Sequence, residues 1–349
     1  MRKDAAKTMQ RARESQAGWA RASTAERCAQ MERLRRLIAL RTDEIVATLT
    51  AETGKTPMDA LSGDVMVTLE QMLYYERNAP KLLRARRVGQ PAFLYIGAKF
   101  EEMWEPYGVA LIYGPSNYPF QLAVLPMVTA LCAGNAVVLK CSEKTPATAA
   151  LIAELVRDAG LPQELVQVVW DAPGDAGAWI DAKPDVVFFT GSSANGRAVA
   201  KRAAENLIPV VLELGGKDAA LVFADCNLKR TVEGVAYGAF ANAGQVCVGI
   251  KRLYVERAIF SSFVDRLAER VQELRVGTDV KSDTGALHFA GDRSRFVQQV
   301  ERGLGDLQRL WFWPSVVLMS WSWKKRKRSA DATQRLCWAT TGLIWVRLS

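Results

Sequence analysis

An apolar run leads through a glycine-flanked turn into a helix-like segment at Val186-Val187-Phe188-Phe189-Thr190-Gly191-Ser192-Ser193-Ala194-Asn195-Gly196. Glycines at such a turn let the backbone approach a ligand closely, and the helix that follows offers N–H groups suited to a pyrophosphate. The turn alone is more often structural than functional, because it has neither the G-x-G-x-x-G spacing nor the ending of a P-loop.

Short apolar runs alternate with helical segments on both sides of this turn. The other runs fall at 109–113, 136–139, 165–169 and 210–212, with helical segments such as 147–159 and 196–206 between them. Strand–helix–strand repetition at this spacing predicts an α/β fold whose parallel sheet is covered on both faces. Residues 1–85 are predicted to be helical instead, and residues 86–105 to form extended strands around a turn at Gly97.

The net charge of +9 is concentrated near the end of the sequence. Residues 309–349 hold eight Lys or Arg and one Asp, which leaves only +2 for the preceding residues. A nearly neutral body does not favour a nucleic-acid partner. The most apolar segment, 122–139, is interrupted by Pro126 and Gly134, so it predicts a buried helix leading into a strand and no membrane span.

Six cysteines are scattered along the chain without a C-x-x-C pair, and His288 is the single histidine. This pattern predicts neither a zinc site nor a disulfide framework, and it favours a reducing, cytoplasmic compartment. No continuous apolar stretch follows the basic N-terminus, so no signal peptide is predicted. A cysteine hydrolase is disfavoured because the lone histidine has no matching context.

Three further segments carry candidate chemistry. A cysteine after a glycine turn, as at Gly244-Gln245-Val246-Cys247, is reactive where N–H groups or positive charge stabilise its thiolate, and is otherwise an inert residue. Glu213 ends an apolar run before a double glycine, where an apolar setting raises a carboxyl pKa and makes a base. Asn117 is pinned between two prolines and is suited to an oxyanion, although Asn and Pro are also ordinary turn residues.

Together and in this order, these segments resemble the signatures of the aldehyde dehydrogenase superfamily over about residues 10–303. The matching segments are Pro106-Tyr107-Gly108-Val109, the segment around Asn117, Ala133-Gly134-Asn135-Ala136-Val137-Val138-Leu139-Lys140, Glu213-Leu214-Gly215-Gly216-Lys217 and Gly244-Gln245-Val246-Cys247. The resemblance implies a Rossmann-like cofactor domain (1–85 and 106–214), an oligomerisation hairpin (86–105) and the N-terminal part of an incomplete α/β catalytic domain (215–308), followed by an atypical tail (309–349).

The resemblance also implies a reaction, the NAD(P)-dependent oxidation of an aldehyde to a carboxylic acid. Cys247 would be the nucleophile that forms a thiohemiacetal and then a thioester. The amide of Asn117 and the backbone N–H of Cys247 would hold the oxyanion, and Glu213 would activate the hydrolytic water.

The implied cofactor is NAD, with NADP possible, and no metal is implied. Lys140 and Glu143 would hold the adenosine ribose, because a carboxylate favours free hydroxyls over a 2′-phosphate. Ser192 would contact the pyrophosphate. The remaining cofactor-binding residues would be Gly191, Gly196, Leu214 and Gly215.

Several features depart from the family pattern. Ser116 stands where Trp is usual and Cys141 where Pro is usual, and no E-x-F-G-P segment follows Gly305. Six of the ten tryptophans lie between Trp311 and Trp345, beside the basic run 324–328. We therefore expect residues from about 309 to be a frame-shifted continuation. The alternative is a divergent tail whose basic run resembles a nuclear or nucleic-acid signal.

The expected partners are a small-molecule aldehyde, with no nucleic acid and no membrane. The family forms homo-dimers or tetramers, and the missing C-terminal strand argues against that assembly here. Half a catalytic domain predicts uncovered apolar surface. The alternative function is a catalytically silent, truncated remnant that binds cofactor or pairs with intact homologues.

Overall fold

The computed structural model describes residues 4–89, 99–170 and 176–289, the positions 291, 293, 294, 297 and 298, and the backbone of 344–348. It divides into two compact units. The first unit comprises Met1–Thr48 and Leu61–Leu214, and the second comprises Leu49–Ala60 and Gly215–Ser349.

The described secondary structure is mixed α/β. The helices are α1 (Ala5–Trp19), α2 (Thr24–Leu40), α3 (Thr42–Thr53), α4 (Pro57–Asp59), α5 (Val67–Leu82), α6 (Gln121–Cys132), α7 (Pro146–Asp158), α8 (Ala176–Asp181), α9 (Ser193–Ala204), α10 (Leu228–Phe240) and α11 (Phe260–Glu273). A π-helical stretch spans Ala60–Met66, and short 3-10 helices span Ala241–Gly244 and Arg257–Ile259. The strands are β1 (Arg86–Val88), β2 (Phe100–Glu102), β3 (Val109–Tyr113), β4 (Ala136–Lys140), β5 (Val166–Val169), β6 (Val186–Gly191), β7 (Val210–Leu214), β8 (Asp218–Val222), β9 (Ile250–Glu256) and β10 (Ile344–Leu348).

The first unit is built on a five-stranded parallel sheet with the order β5-β4-β3-β6-β7. Its central strands β3 and β4 are buried along their whole length, as expected for apolar runs covered on both faces. Because parallel crossovers are right-handed, α6 and α7 lie on one face and α8 and α9 on the other. The predicted α/β fold with a parallel sheet is confirmed.

The helix after the glycine turn begins earlier than the sequence indicated. The prediction placed its start at Gly196, but α9 begins at Ser193. Ser192 caps the helix, since its side chain accepts the backbone N–H of Asn195 at 3.2 Å. This cap satisfies one of the donors that a helix start leaves unpaired.

The N-terminal region is helical, as predicted, but it does not belong to one unit. The sequence-based division assigned all of 1–85 to the cofactor domain, whereas Leu49–Ala60 group with the second unit. There the backbone N–H of Ala286 donates to the carbonyl of Gly54 at 3.2 Å. This long-range contact, which local periodicity does not report, explains the difference.

Residues 86–105 contain two short antiparallel strands. In the pairing of β1 with β2, Arg86 faces Glu102 and Arg87 faces Glu101, so opposite charges meet across the strands. The middle of the predicted hairpin, with the turn at Gly97, lies outside the described residues. The role of this hairpin in oligomerisation stays a prediction.

The second unit packs α10 and α11 against a parallel sheet with the order β10-β9-β8. Its core includes Phe240, Leu253 and Phe263, all nearly inaccessible. The strand β10 lies in the tail, where the sequence showed no convincing strand pattern. It pairs with the edge of β9 through backbone groups, which need no side-chain periodicity.

Several large apolar side chains of the second unit are exposed. The exposed fractions of Leu221, Phe223, Tyr237 and Val248 are 60%, 54%, 69% and 69%. Among the helices that the structure describes, none has both the length and the apolar character to cross a membrane.

Leucine-to-alanine substitutions at a buried and at an exposed position test the burial of β3. Leu111 on β3 is 0% exposed, and Leu40 at the end of α2 is 84% exposed. We expect Leu111→Ala to lower the free energy of unfolding by about 2–5 kcal/mol through the lost burial and the cavity. The matched Leu40→Ala should change it by less than about 0.5 kcal/mol. Equilibrium urea unfolding measures both, and equal effects would contradict the buried position of β3.

Candidate functional site

Lys140 and Glu143 come together at the carboxyl end of β4. The side chain of Lys140 is almost fully buried, and its Nζ donates to the carbonyl of Cys141 at 3.1 Å. The same Nζ lies 3.5 Å from Oε2 of the partly exposed Glu143. An ammonium and a carboxylate therefore sit side by side where open α/β sheets bind ligands.

The glycine turn lies at the same edge of the sheet, where β6 leads into α9. Gly196 is buried in the first turn of α9, and a Cβ at this position would meet Cδ2 of Leu214 at 2.6 Å. The pairing of β6 with β7 brings Leu214 opposite Gly191. The structure thus groups Gly191, Ser192, Gly196 and Leu214, and the start of α9 offers N–H groups there.

A cavity of about 480 Å³ lies beside this turn, between α8 and α9. Tyr113 and Phe189, whose ring centroids are 5.9 Å apart, form one wall, and Ile180 and Val199 line it as well. The hydroxyl of Tyr113 donates to the carbonyl of Ala176 at 2.5 Å, and burial raises the pKa of this phenol. The result is a cavity with one aromatic wall, lined also by the polar side chains Asn195, Lys201, Arg202 and Glu205.

Sequence reasoning did not find this cavity. The available signal was an aromatic residue near the carboxyl end of each of two apolar runs, at Tyr113 and Phe189. The two rings meet because β3 and β6 are neighbours and Tyr113 pairs with Phe189 in the register.

Asn117 lies half-buried in the loop between β3 and α6. The fully buried carboxylate of Asp64 accepts the backbone N–H groups of Phe120 at 3.1 Å and Gln121 at 3.0 Å, which anchors this loop. A Cβ on Gly63 would lie 2.5 Å from the ring of Tyr118, so the π-helical stretch also needs a glycine at that position. The sequence analysis identified the prolines that flank Asn117, but it did not identify Asp64 as the residue that anchors the loop.

Glu213 stands next to the last residue of β7, at the edge of the first sheet, and pairs with Thr190 in the register. The sequence analysis expected an apolar setting for its carboxylate. In the structure Glu213 is exposed to solvent, so the expectation of an apolar setting is wrong. Glu213 is exposed because β7 is an edge strand whose residues alternate between partly buried and exposed.

Cys247 belongs to the second unit and is exposed. It lies in a turn in which the N–H of Gly249 donates to the carbonyl of Val246 at 3.2 Å. A Cβ on Gly216 would come within 2.8 Å of the carbonyl oxygen of Cys247. The double glycine Gly215-Gly216 is therefore adjacent to the turn of the cysteine, while Gly215 itself has open space around it.

The two units carry different parts of the predicted site. The first unit holds Asn117, Lys140, Glu143, the glycine turn, Glu213 and Leu214, and the second holds Gly215 and Cys247. Within the described residues, no three His, Cys, Asp or Glu side chains are arranged to hold a metal ion.

The sheet is doubly wound, Ser192 caps the helix that follows the glycine turn, and Lys140 lies at the carboxyl end of β4. This combination is typical of α/β folds of the nucleotide-binding type. Residues 1–311 match the model of the aldehyde dehydrogenase family, and the chain belongs to that family. The resemblance found in the motifs is confirmed.

Curated relatives are similar over most of this chain. It is 43% identical over 274 residues to a 4,4′-diapolycopene aldehyde oxidase of Methylomonas sp, an alignment that covers 78% of this chain and 51% of that protein. It is 37% identical over 286 residues to a protein of Mycolicibacterium smegmatis named as a candidate succinate-semialdehyde dehydrogenase, NADP(+), which covers 81% and 55%. The chain thus spans about half the length of these relatives.

Solved structures share the fold. An NAD-dependent aldehyde dehydrogenase from Sinorhizobium meliloti superposes with a TM-score of 0.81 at 31% identity, covering 87% of this chain and 61% of that one. A lactaldehyde dehydrogenase from Escherichia coli gives 0.81 at 30% identity, with coverage of 87% and 64%. The aldehyde dehydrogenase-like fold is therefore shown, over part of the neighbours' length.

The double glycine allows a matched test of the contact with Cys247. Gly216→Ala places a methyl group against the carboxylate of Asp218 and the backbone carbonyl of Cys247, so we expect it to cost about 1–3 kcal/mol of stability through overpacking. Gly215→Ala meets no atom within 4 Å, and should stay within about 0.5 kcal/mol of the parent. Thermal unfolding of both variants measures the difference, and a Gly216→Ala variant as stable as Gly215→Ala would refute the close approach.

Proposed function

We propose that this chain oxidises an aldehyde to a carboxylic acid with NAD or NADP as the hydride acceptor. The observation that carries the proposal is the arrangement at the carboxyl edge of the first sheet. The ion pair of Lys140 with Glu143, the capped start of α9 and the aromatic-walled cavity all lie there. Membership of the aldehyde dehydrogenase family supports the same reaction.

The residues at this edge fit a dinucleotide. Lys140 and Glu143 would hold the hydroxyls of the adenosine ribose, one as a donor and the other as an acceptor. Ser192 and the start of α9 would hold the pyrophosphate, with Gly191 and Gly196 allowing close approach. The cavity that Tyr113 and Phe189 line suits a flat adenine ring. Leu214 and Gly215 complete the proposed cofactor-binding set.

Glu143 favours NAD over NADP in this proposal. Its carboxylate repels a 2′-phosphate and accepts hydrogen bonds from free ribose hydroxyls. The names of the relatives support both cofactors, since one carries NADP(+) in its name and one solved structure is described as NAD-dependent. NAD is therefore the proposed acceptor, and NADP the second.

The proposed chemistry begins at Cys247. Its thiolate attacks the aldehyde carbonyl carbon, and the new alkoxide accepts hydrogen bonds from the amide of Asn117 and the backbone N–H of Cys247. NAD, when bound, would accept the hydride, and Cys247 would then carry the acyl group as a thioester. Glu213 removes a proton from water, which attacks the thioester and releases the acid and the thiol.

The proposed substrate is an aldehyde, and no particular aldehyde is proposed. The two curated relatives described above carry names with different substrates, 4,4′-diapolycopene aldehyde and succinate semialdehyde. A cytoplasmic location is part of the proposal, because Cys247 must stay a free thiol. The proposed partner is a small-molecule aldehyde, without nucleic acid or membrane.

A catalytically silent protein is the second candidate. The exposure of Glu213, whose carboxylate would have to act as the base, favours it. Such a chain would still bind the cofactor through its first unit, or pair with an intact homologue through residues 86–105. Co-purification with a full-length homologue would support this candidate.

The primary test separates cofactor binding from turnover. The parent chain should bind NAD and form NADH with small aldehydes, whereas Cys247→Ser should bind NAD equally well and form none. Glu143→Gln keeps the size of the side chain and loses its charge, so we expect NAD binding to weaken about tenfold through the weaker hydrogen bonds to ribose. Isothermal titration calorimetry and the absorbance of NADH measure the two steps.

The outcomes distinguish the two candidates. NAD binding without NADH formation by the folded parent would leave the silent protein as the correct description. A parent that binds neither NAD nor NADP would refute both the cofactor site and the oxidation.

A further inference from the structure

The backbone just before Cys247 has an unusual conformation. Asn242, Ala243 and Gly244 follow one another with φ of 50°, 55° and 71°, so the chain makes a left-handed turn three residues long. Only glycine adopts this region without penalty, because a Cβ there approaches the backbone too closely. A left-handed turn that includes Asn and Ala therefore requires contacts that hold it in place.

Thr284 provides the first of these contacts. Its side chain is 1% exposed. The hydroxyl accepts the backbone N–H of Ala243 at 3.0 Å and donates to the carbonyl of Phe240 at 2.8 Å. One buried hydroxyl thus links the end of α10 to the middle of the left-handed turn.

Lys251 provides the second contact, from the start of β9. Its Nζ donates to the carbonyl of Gly244 at 2.7 Å. Lys251 is partly buried, and this burial, together with the nearby charge of Lys217, lowers the pKa of its ammonium. The carbonyl that ends the left-handed turn is therefore held by a charged donor, a stronger bond than a neutral one.

The remaining side chains of the turn are also engaged. Asn242 Oδ1 lies 3.0 Å from Nε2 of His288. The amide of Gln245 donates to the carbonyl of Asn242 at 3.0 Å and accepts the backbone N–H of His288 at 3.2 Å. Thr284 and Lys251 therefore hold the turn's backbone together with Gln245 and with the carboxylate of Asp59, which accepts the backbone N–H of Asn242.

We propose that Thr284 and Lys251 are positioning residues that fix the backbone before Cys247 and thereby set the geometry of its thiol. The proposal rests on the proposed function, in which Cys247 is the nucleophile. Cys247 is exposed, so packing of its side chain does not orient it. Its position follows from the backbone, and the anchored turn ends only three residues earlier, at Gly244.

The test measures the alkylation of Cys247 by iodoacetamide, resolved by mass spectrometry of the peptides. Thr284→Val keeps the shape of the side chain and removes both hydrogen bonds. We expect it to slow alkylation of Cys247 about fivefold, because the lost hydrogen bond to the N–H of Ala243 contributes about 1 kcal/mol. Thr284→Ser keeps the hydroxyl and should retain the parent rate within about twofold.

Cys226 serves as the internal control for general loosening. It lies in the same unit and is only partly exposed, so a loosened fold would raise its alkylation rate. A merely structural role for Thr284 predicts faster alkylation of Cys226 and no slowing at the already exposed Cys247. That result, or an unchanged rate at Cys247 in Thr284→Val, would overturn the proposal.

Lys251→Met is the second variant and keeps the test decisive if Thr284→Val does not fold. It keeps the length of the side chain and loses the bond to Gly244, so it should slow the alkylation of Cys247 by a similar factor.

Failure of the proposed function looks different from failure of this inference. In the first case the parent forms no NADH with any aldehyde, and in the second the parent is active while both variants alkylate like it.

Discussion

The pairing of β3 with β4 on one side and β6 on the other is the constraint on which the first unit depends. Every residue of β3 is buried, so the strand must be covered on both faces and hydrogen-bonded on both edges. Parallel neighbours end at the same edge of the sheet, which places Tyr113, Lys140 and Phe189 near that edge. The candidate cofactor site is a direct result of this strand order.

Beyond the sheet, the chemistry-bearing loops are held by buried polar atoms that come from distant parts of the chain. Asp64 holds the loop of Asn117 through two backbone N–H groups, and Thr284 holds the turn before Cys247. In both cases a side chain with almost no exposure satisfies backbone donors that would otherwise be buried without partners. The first unit and the second unit thus use the same device independently.

The sequence predicted what depends on local pattern and missed what depends on tertiary contacts. The five apolar runs became strands because continuous apolar residues suit a doubly covered sheet. The start of α9 was misplaced because Ser192 was not recognised as its cap, and Leu49–Ala60 changed units through a contact at Gly54. Thr284 lies 41 positions after Ala243, and no spacing rule connects a lone threonine to a turn at that separation. The exposure of Glu213 likewise follows from the position of β7 at the sheet edge.

The left-handed turn at Asn242–Gly244 has a consequence for how this region tolerates sequence drift. Because Ala243 occupies an unfavourable conformation only while Thr284 holds it, the two positions share one energetic role. A glycine at 243 would relieve the conformational penalty, so substitutions of Thr284 would then be tolerated. A residue larger than alanine at 243 would raise the penalty, so the hydrogen bond from Thr284 would become more important. Substitutions at the two sites are therefore non-additive, and the order in which they accumulate determines which sequences stay folded.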